Sequence, residues 1–208
     1  MSRKIVAILR GVRPGEVEAI AAAIIDAGIS TIEVPLNSPE PFDSISRIAA
    51  AFGREALVGA GTVLAPEQAE QVHAAGGRLI VSPNCDPSVI ARTLELGMVS
   101  MPGVFTATEC FSAIRAGARQ LKLFPGSVAG PEGLKALKAV LPGDAKMHAV
   151  GGASAENFGE WIAAGADGFG IGSALYKPGM PAEAVAEKAA RIVSAYDSAI
   201  AAGGKADG

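Results

Sequence analysis

A two-part unit recurs along this chain: an Ala-rich or Leu-rich helical pattern closed by glycine, then a short apolar run. The closures are Ala27-Gly28, Phe52-Gly53, Ala75-Gly76, Leu96-Gly97, Ala116-Gly117 and Ala164-Gly165. Glycine just past a helix takes the left-handed conformation that caps the last turn. The runs are "STIEVP" (30–35), "ALVGAG" (56–61), "RLIVS" (78–82), "MVSMPG" (98–103), "QLKLFP" (120–125) and "DGFGIGS" (167–173). Near-continuous apolar character marks strands covered on both faces, as parallel strands are. With "KIVAIL" at the start and "KMHAV" (146–150) before Gly151, the chain offers eight candidate strands, each followed by a helical pattern.

Eight such units in 208 residues leave room only for brief loops. An open doubly wound sheet usually stops at fewer strands, so the expectation is an α/β chain folded as a (β/α)8 TIM barrel. A Rossmann-like sheet is the alternative. Against it, the first turn reads "LRGVRPGE", without the G-x-G-x-x-G fingerprint, and no acidic residue stands at the expected place after a second strand to hold a ribose. Half the residues are hydrophobic, enough for one large core. A single domain is expected over 1–202, with the small, polar residues 203–208 as a frayed tail.

The net charge is −3 and no block of Lys or Arg occurs, which argues against nucleic acid or an anionic membrane as partner and for a small metabolite. Cys85 and Cys110 have neither C-x-x-C spacing nor a nearby histidine and read as free thiols of a reducing compartment. The apolar run before Arg10 is too short for a secretion signal, and no stretch has membrane length. A cytoplasmic protein is expected.

In such a barrel the active site lies at the C-terminal ends of the strands. The polar residues falling there are Arg10, Glu33, Asn37, Thr62, Ser82 with Asn84, Lys122 and Ser173. Two of them sit inside apolar strands: Glu33 in the second and Lys122 in the sixth. Alternate strands of a barrel fill the same interior layer, so both side chains can enter one pocket. Lys122 snorkelling from a strand end, with Glu33 as its ion-pair partner, is the structural alternative. Two groups this expensive to bury, in the layer where catalysis occurs, favour chemistry. Burial drives a lysine toward its neutral amine, which can add to a carbonyl and form a Schiff base, and a neighbouring carboxylate can move the protons.

The turns after the seventh and eighth strands, "VGGASAEN" (150–157) and "GIGSALY" (170–176), place Gly151-Gly152 and Gly172-Ser173 where barrels of this kind bind phosphate. An ordinary tight turn would also use these glycines. Of the two histidines, His73 reads as a helix-surface residue, and His148, on the seventh strand, has no second histidine or carboxylate cluster beside it. No metal site and no cofactor are expected.

The stretches "AILRG", "IEVPLNSP", "VGAGTVL", "VSPN", "MPGVFTATE", "LKLFPGS" and "VGGASAEN" resemble, in order and over nearly the whole chain, the bacterial 2-keto-3-deoxy-6-phosphogluconate/2-keto-3-deoxy-6-phosphogalactonate aldolase family. The resemblance implies a class I aldolase on a (β/α)8 barrel, usually a homotrimer. Its substrate would be a phosphorylated sugar acid cleaved to pyruvate and D-glyceraldehyde 3-phosphate. It makes Lys122 the imine-forming residue and Glu33 the proton donor and acceptor. Arg10 and Thr62 would contact the pyruvoyl end, Pro83 would line the same pocket, and Gly151, Gly152, Gly172 and Ser173 would hold the phosphate. Asn37 stands where many gluconate-type members carry arginine, leaving Arg10 as the carboxylate anchor with Asn37 as a further substrate contact. Val150 replaces a threonine that gluconate-type members often place before the glycine pair. The galactonate branch is therefore the first expectation and a gluconate or dual-specific aldolase the second. A non-catalytic phosphometabolite-binding barrel or a phosphosugar isomerase would use the glycine loops without the lysine.

Overall fold

The computed structural model describes residues 3–203. Strands and helices alternate throughout. The order is β1 (Ile5–Ile8), α1 (Pro14–Asp26), β2 (Thr31–Pro35), α2 (Pro41–Phe52), β3 (Leu57–Gly61), α3 (Pro66–Ala74), β4 (Leu79–Val81) and α4 (Pro87–Glu95). There follow β5 (Val99–Met101), β6 (Gly103–Val104), α5 (Ala107–Arg115), β7 (Gln120–Leu123), α6 (Gly126–Lys138), β8 (Lys146–Val150), α7 (Phe158–Ala163), β9 (Gly168–Ile171) and α8 (Ala182–Gly203). Every pairing is parallel, in the spatial order β5-β4-β3-β2-β1-β9-β8-β7-β6.

The two ends of that order are halves of one strand. β5 pairs with β4, β6 pairs with β7, and only Pro102 separates them. Proline has no N–H to donate, so the fifth barrel strand is interrupted there. Its carbonyl still accepts from the Lys122 amide at 2.9 Å, which carries the ladder around the ring. The expected eight units are thus present as a (β/α)8 barrel, with the fifth strand in two pieces.

Burial explains the apolar runs. β1, β4 and β9 are buried at every residue, one face against the barrel interior and the other against the helices. Helices contribute stripes such as Val17, Ile20, Ala21 and Ile24 on α1. Proline stands at the first turn of α1, α2, α3 and α4, where its missing N–H costs nothing.

Five of the six expected glycine caps have positive φ: Gly28, Gly76, Gly97, Gly117 and Gly165. Gly53 does not. Its φ is −63°, in the right-handed region, because the chain continues as a turn through Arg54 and Glu55 before β3 instead of reversing at once. At the C-terminus α8 runs through Gly203, and residues 204–208 of the expected tail lie outside the described residues.

Candidate active site

Glu33 and Lys122 both project into the barrel near its C-terminal end, with 1 % and 5 % of their surfaces exposed. Desolvation drives the Glu33 carboxyl up to about 7, against the opposing positive charges of Lys122 and Arg10. It also lowers the Lys122 ammonium, an effect the Glu33 charge opposes and the Arg10 charge reinforces. An acid poised near neutrality and an amine pushed toward its free base therefore share one low-dielectric space. Oε2 of Glu33 has no hydrogen-bond partner among the described residues. Such an orphaned buried oxygen is costly unless a substrate or proton uses it.

Gly61 makes the Glu33 position possible. A Cβ there would lie 1.7 Å from Oε2 and 2.5 Å from Oε1 of Glu33. The next residue, Thr62, has φ of 57°, a left-handed conformation that a β-branched residue rarely adopts. Strain of this kind, held by its surroundings, concentrates at functional sites.

Above Lys122 opens a cavity of ≈ 460 Å³. Its walls include Arg10, Lys122, Val150, Gly151, Gly152, Gly172 and Ser173, seven of the residues expected from the sequence. Glu33 is not among the residues lining it, but interacts electrostatically with Lys122 and Arg10, which are. Asn37 reaches the site through Arg10, whose Nη1 donates to Asn37 Oδ1 at 2.6 Å. Thr62 and Pro83 stand at the ends of β3 and β4 and do not line this cavity.

The glycine loops are shaped by contact with their neighbours. A Cβ on Gly152 would come within 2.9 Å of Ser127 Cα, and one on Gly126 within 2.5 Å of the Gly151 carbonyl oxygen. Gly151 and Gly152 have φ of 82° and 90°, a conformation that favours glycine at both, and at Gly152 the close approach requires it as well. The turn after β8 thereby presses onto the start of α6, and the "FPGS" and "VGG" stretches meet.

The structure adds wall residues that the sequence reading did not single out: Ile8, Phe124, Gly170, Tyr176, Lys177 and Pro178 among them. The Phe124 ring centroid is 4.8 Å from Lys122 Nζ, a cation–π contact that favours the charged amine while burial favours the neutral one. Phe124 is two residues beyond Lys122, just past the end of β7, so strand alternation was the available signal. Tyr176 donates its hydroxyl to Glu16 Oε1 at 2.8 Å.

His148 is buried in the barrel, with Nε2 2.7 Å from Gln120 Oε1, and borders a separate cavity with Lys4, Thr31 and Leu79. These neighbours belong to the N-terminal ends of the strands, opposite the active-site mouth. Among the described residues, no group of three or more His, Cys, Asp or Glu is placed to hold a metal ion, and no helix is long and apolar enough to cross a membrane.

A buried lysine and carboxylate near a glycine-rich pocket at the mouth of a barrel are the groups that an imine-forming lyase acting on a small molecule would need. The model of the KDPG and KHG aldolases matches residues 1–192, and the chain belongs to that family. It is 50 % identical over 198 residues to a "Probable 2-dehydro-3-deoxy-6-phosphogalactonate aldolase" of Rhizobium meliloti (strain 1021), covering 95 % of this chain and 93 % of that one. It is also 50 % identical over 196 residues to the 2-dehydro-3-deoxy-6-phosphogalactonate aldolase of Escherichia coli (strain K12), covering 94 % and 96 %. A solved structure described as native KDPGal superposes with a TM-score of 0.93 at 50 % identity, covering 94 % of this chain and 95 % of that one.

Proposed function

We propose that this protein is a class I aldolase that cleaves 2-dehydro-3-deoxy-6-phosphogalactonate to pyruvate and D-glyceraldehyde 3-phosphate. The observation that carries the reading is the buried Lys122 beside the unpartnered carboxylate oxygen of Glu33. Half-identity to two 2-dehydro-3-deoxy-6-phosphogalactonate aldolases over nearly the full chain supports the substrate.

The residues divide the work as follows. The neutral amine of Lys122 adds to the C2 carbonyl, and Glu33, protonated near neutrality, gives the proton that lets the carbinolamine lose water. The resulting iminium ion is an electron sink. Glu33, now ionised, takes the C4 hydroxyl proton, the C3–C4 bond breaks, and its electron pair forms an enamine while the aldehyde product leaves. Protonation of the enamine at C3 and hydrolysis of the imine release pyruvate and restore the amine. The imine supplies what a metal would otherwise supply, so no cofactor enters these steps. Arg10, held by Asn37, anchors the carboxylate. The family resemblance assigns Thr62 and Pro83 to the pyruvoyl end, although neither lines the cavity, and Gly151, Gly152, Gly172 and Ser173, which do, receive the phosphate through backbone N–H groups and a hydroxyl.

Incubation with pyruvate and borohydride, followed by peptide mapping, tests the assignment. A stable adduct on Lys122, lost in Lys122→Met, is the expected result. An adduct on Lys135 or Lys138 rules out Lys122 as nucleophile, and no adduct leaves a binding barrel or an isomerase. The family resemblance further supports a homotrimer, which sedimentation measures, and the free thiols Cys85 and Cys110 support a cytoplasmic location.

A further inference from the structure

Three cations line the cavity, and two of them have a place in the reaction already described. Lys122 lies at the strand level under Phe124, and Arg10 is bonded to Asn37. The third is Lys177. No carboxylate stands on the cavity wall. Among the described residues the Lys177 ammonium has no ion-pair partner, whereas Lys138 and Lys146 are both paired with Asp167.

The backbone that carries Lys177 is clamped on both sides. Before it, Tyr176 is 3 % exposed, its amide donates to the Gly172 carbonyl at 3.0 Å, and its hydroxyl is tied to Glu16 on α1. After it, Pro178 packs against Gly11, where a Cβ would lie 2.7 Å from Pro178 Cγ. Gly11 in turn donates its amide to Ser38 Oγ at 2.9 Å. The Lys177 amide itself donates to Met180 Sδ at 3.3 Å. A flexible cationic side chain thus rises from a fixed loop that begins at the Gly172-Ser173 turn.

We propose that Lys177 is the phosphate-recognising cation of this site, a substrate-binding residue beyond the glycine loops. This rests on the aldolase reading above. Charge matching decides the role. A phosphorylated 2-keto acid brings one carboxylate and a phosphate monoester of about −1.5 to −2 charge near pH 7. Arg10 answers the carboxylate, and Lys122 must be neutral to attack. The glycine loops offer only uncharged donors, so Lys177 supplies the positive charge opposite the phosphate. Because its head group is solvent-accessible, its attraction acts through partly screened water and shows in binding and in salt dependence more than in the bond-breaking step.

The test compares the parent, Lys177→Met and Lys177→Arg in cleavage of 2-dehydro-3-deoxy-6-phosphogalactonate, with pyruvate trapping by borohydride as the second readout. Lys177→Met should raise KM roughly tenfold with kcat within about twofold, leave pyruvate trapping unchanged, and flatten the fall of kcat/KM with added salt. Lys177→Arg should restore most of the loss. A KM within twofold of the parent overturns the proposal. So does a loss shared equally by pyruvate trapping, or one that arginine does not repair, since either marks a loop-building role. If the parent itself fails to cleave the phosphorylated substrate, the aldolase reading falls; if the parent cleaves and Lys177→Met behaves like it, only the role of Lys177 falls.

Discussion

The Cα of Gly61 lies directly against the carboxylate of Glu33: a single methyl group there would stand 1.7 Å from Oε2. That oxygen and the strand backbone cannot both keep their places if the position gains a side chain. Gly61→Ala should therefore keep the barrel, as judged by circular dichroism, while displacing Glu33 from Lys122. The expected result is a fall in kcat of roughly 10²-fold, comparable with removal of a general acid–base. Turnover within threefold of the parent would show that Glu33 does not depend on this contact.

Glu33 also fixes a pH dependence. Its carboxyl is raised to about 7 by burial, so the acid form that protonates the carbinolamine is present below that value and is lost as pH rises through it. The fall in rate above pH 7 should follow this ionisation. Glu33→Gln should be slower by roughly 10²-fold and lack this fall. Stability runs the same way. A carboxyl raised in the folded state favours folding below the unfolded value of about 4.5 and loses that contribution as pH rises through about 7. Relative to the parent, Glu33→Gln should gain stability between pH 5 and pH 8 in denaturant titrations. An unchanged difference between those two pH values contradicts a raised Glu33.

His148 contributes the opposite slope at the far end of the barrel. Burial holds it down to about 4, with Lys4 acting in the same sense and Asp167 against, and its Nδ1 has no partner among the described residues. The unfolded chain takes a proton on this histidine as pH falls below about 6.5, and the folded chain does so only near 4. Stability tied to His148 is present above pH 6.5 and disappears by about pH 4, on the order of 3 kcal/mol in all. His148→Gln, which cannot titrate, should lose less stability across that window than the parent. Parallel curves for the two proteins would refute the buried neutral histidine.

How much of this was legible in the sequence follows from what burial does to residue choice. The strands could be read because both faces are covered, which forces runs such as "RLIVS" and "KMHAV" to be apolar. Lys122 and Glu33 stood out because they break that rule. Pro102 splits the fifth strand through the loss of one donor, a defect that leaves the apolar pattern of "MVSMPG" intact. Gly53 looked like its five counterparts, and only the chain path after α2 separates them. In the site, Gly61 was hidden because a close approach between strands writes nothing but a glycine. Phe124 and Ile8 look like any core residue, and Lys177 like any surface lysine. The left-handed Thr62 has no sequence signal at all, since threonine disfavours the conformation it adopts here.

We expect Val150 to set which C4 epimer the site accepts. It ends β8 immediately before the glycine pair, lines the cavity, and is 5 % exposed. A Cβ on Gly170 would lie 2.8 Å from Val150 Cγ2 and 3.4 Å from Ile8 Cδ1, so β9 carries glycine there to admit the valine. The branch is therefore fixed in position, and threonine, nearly the same shape, would fit without displacing it. What threonine adds is a hydroxyl on the cavity wall, where the middle carbons of the substrate are expected. A hydroxyl can bond the C4 hydroxyl in one configuration and not the other, a difference of about 1 kcal/mol or more, whereas an apolar wall discriminates weakly. The parent should cleave the galactonate epimer well and the gluconate epimer no better, and Val150→Thr should move the preference toward gluconate by up to roughly tenfold. Measuring kcat/KM for both epimers in both proteins settles the matter. A parent that prefers gluconate tenfold, or a variant whose ratio does not move, removes Val150 from the specificity of this site.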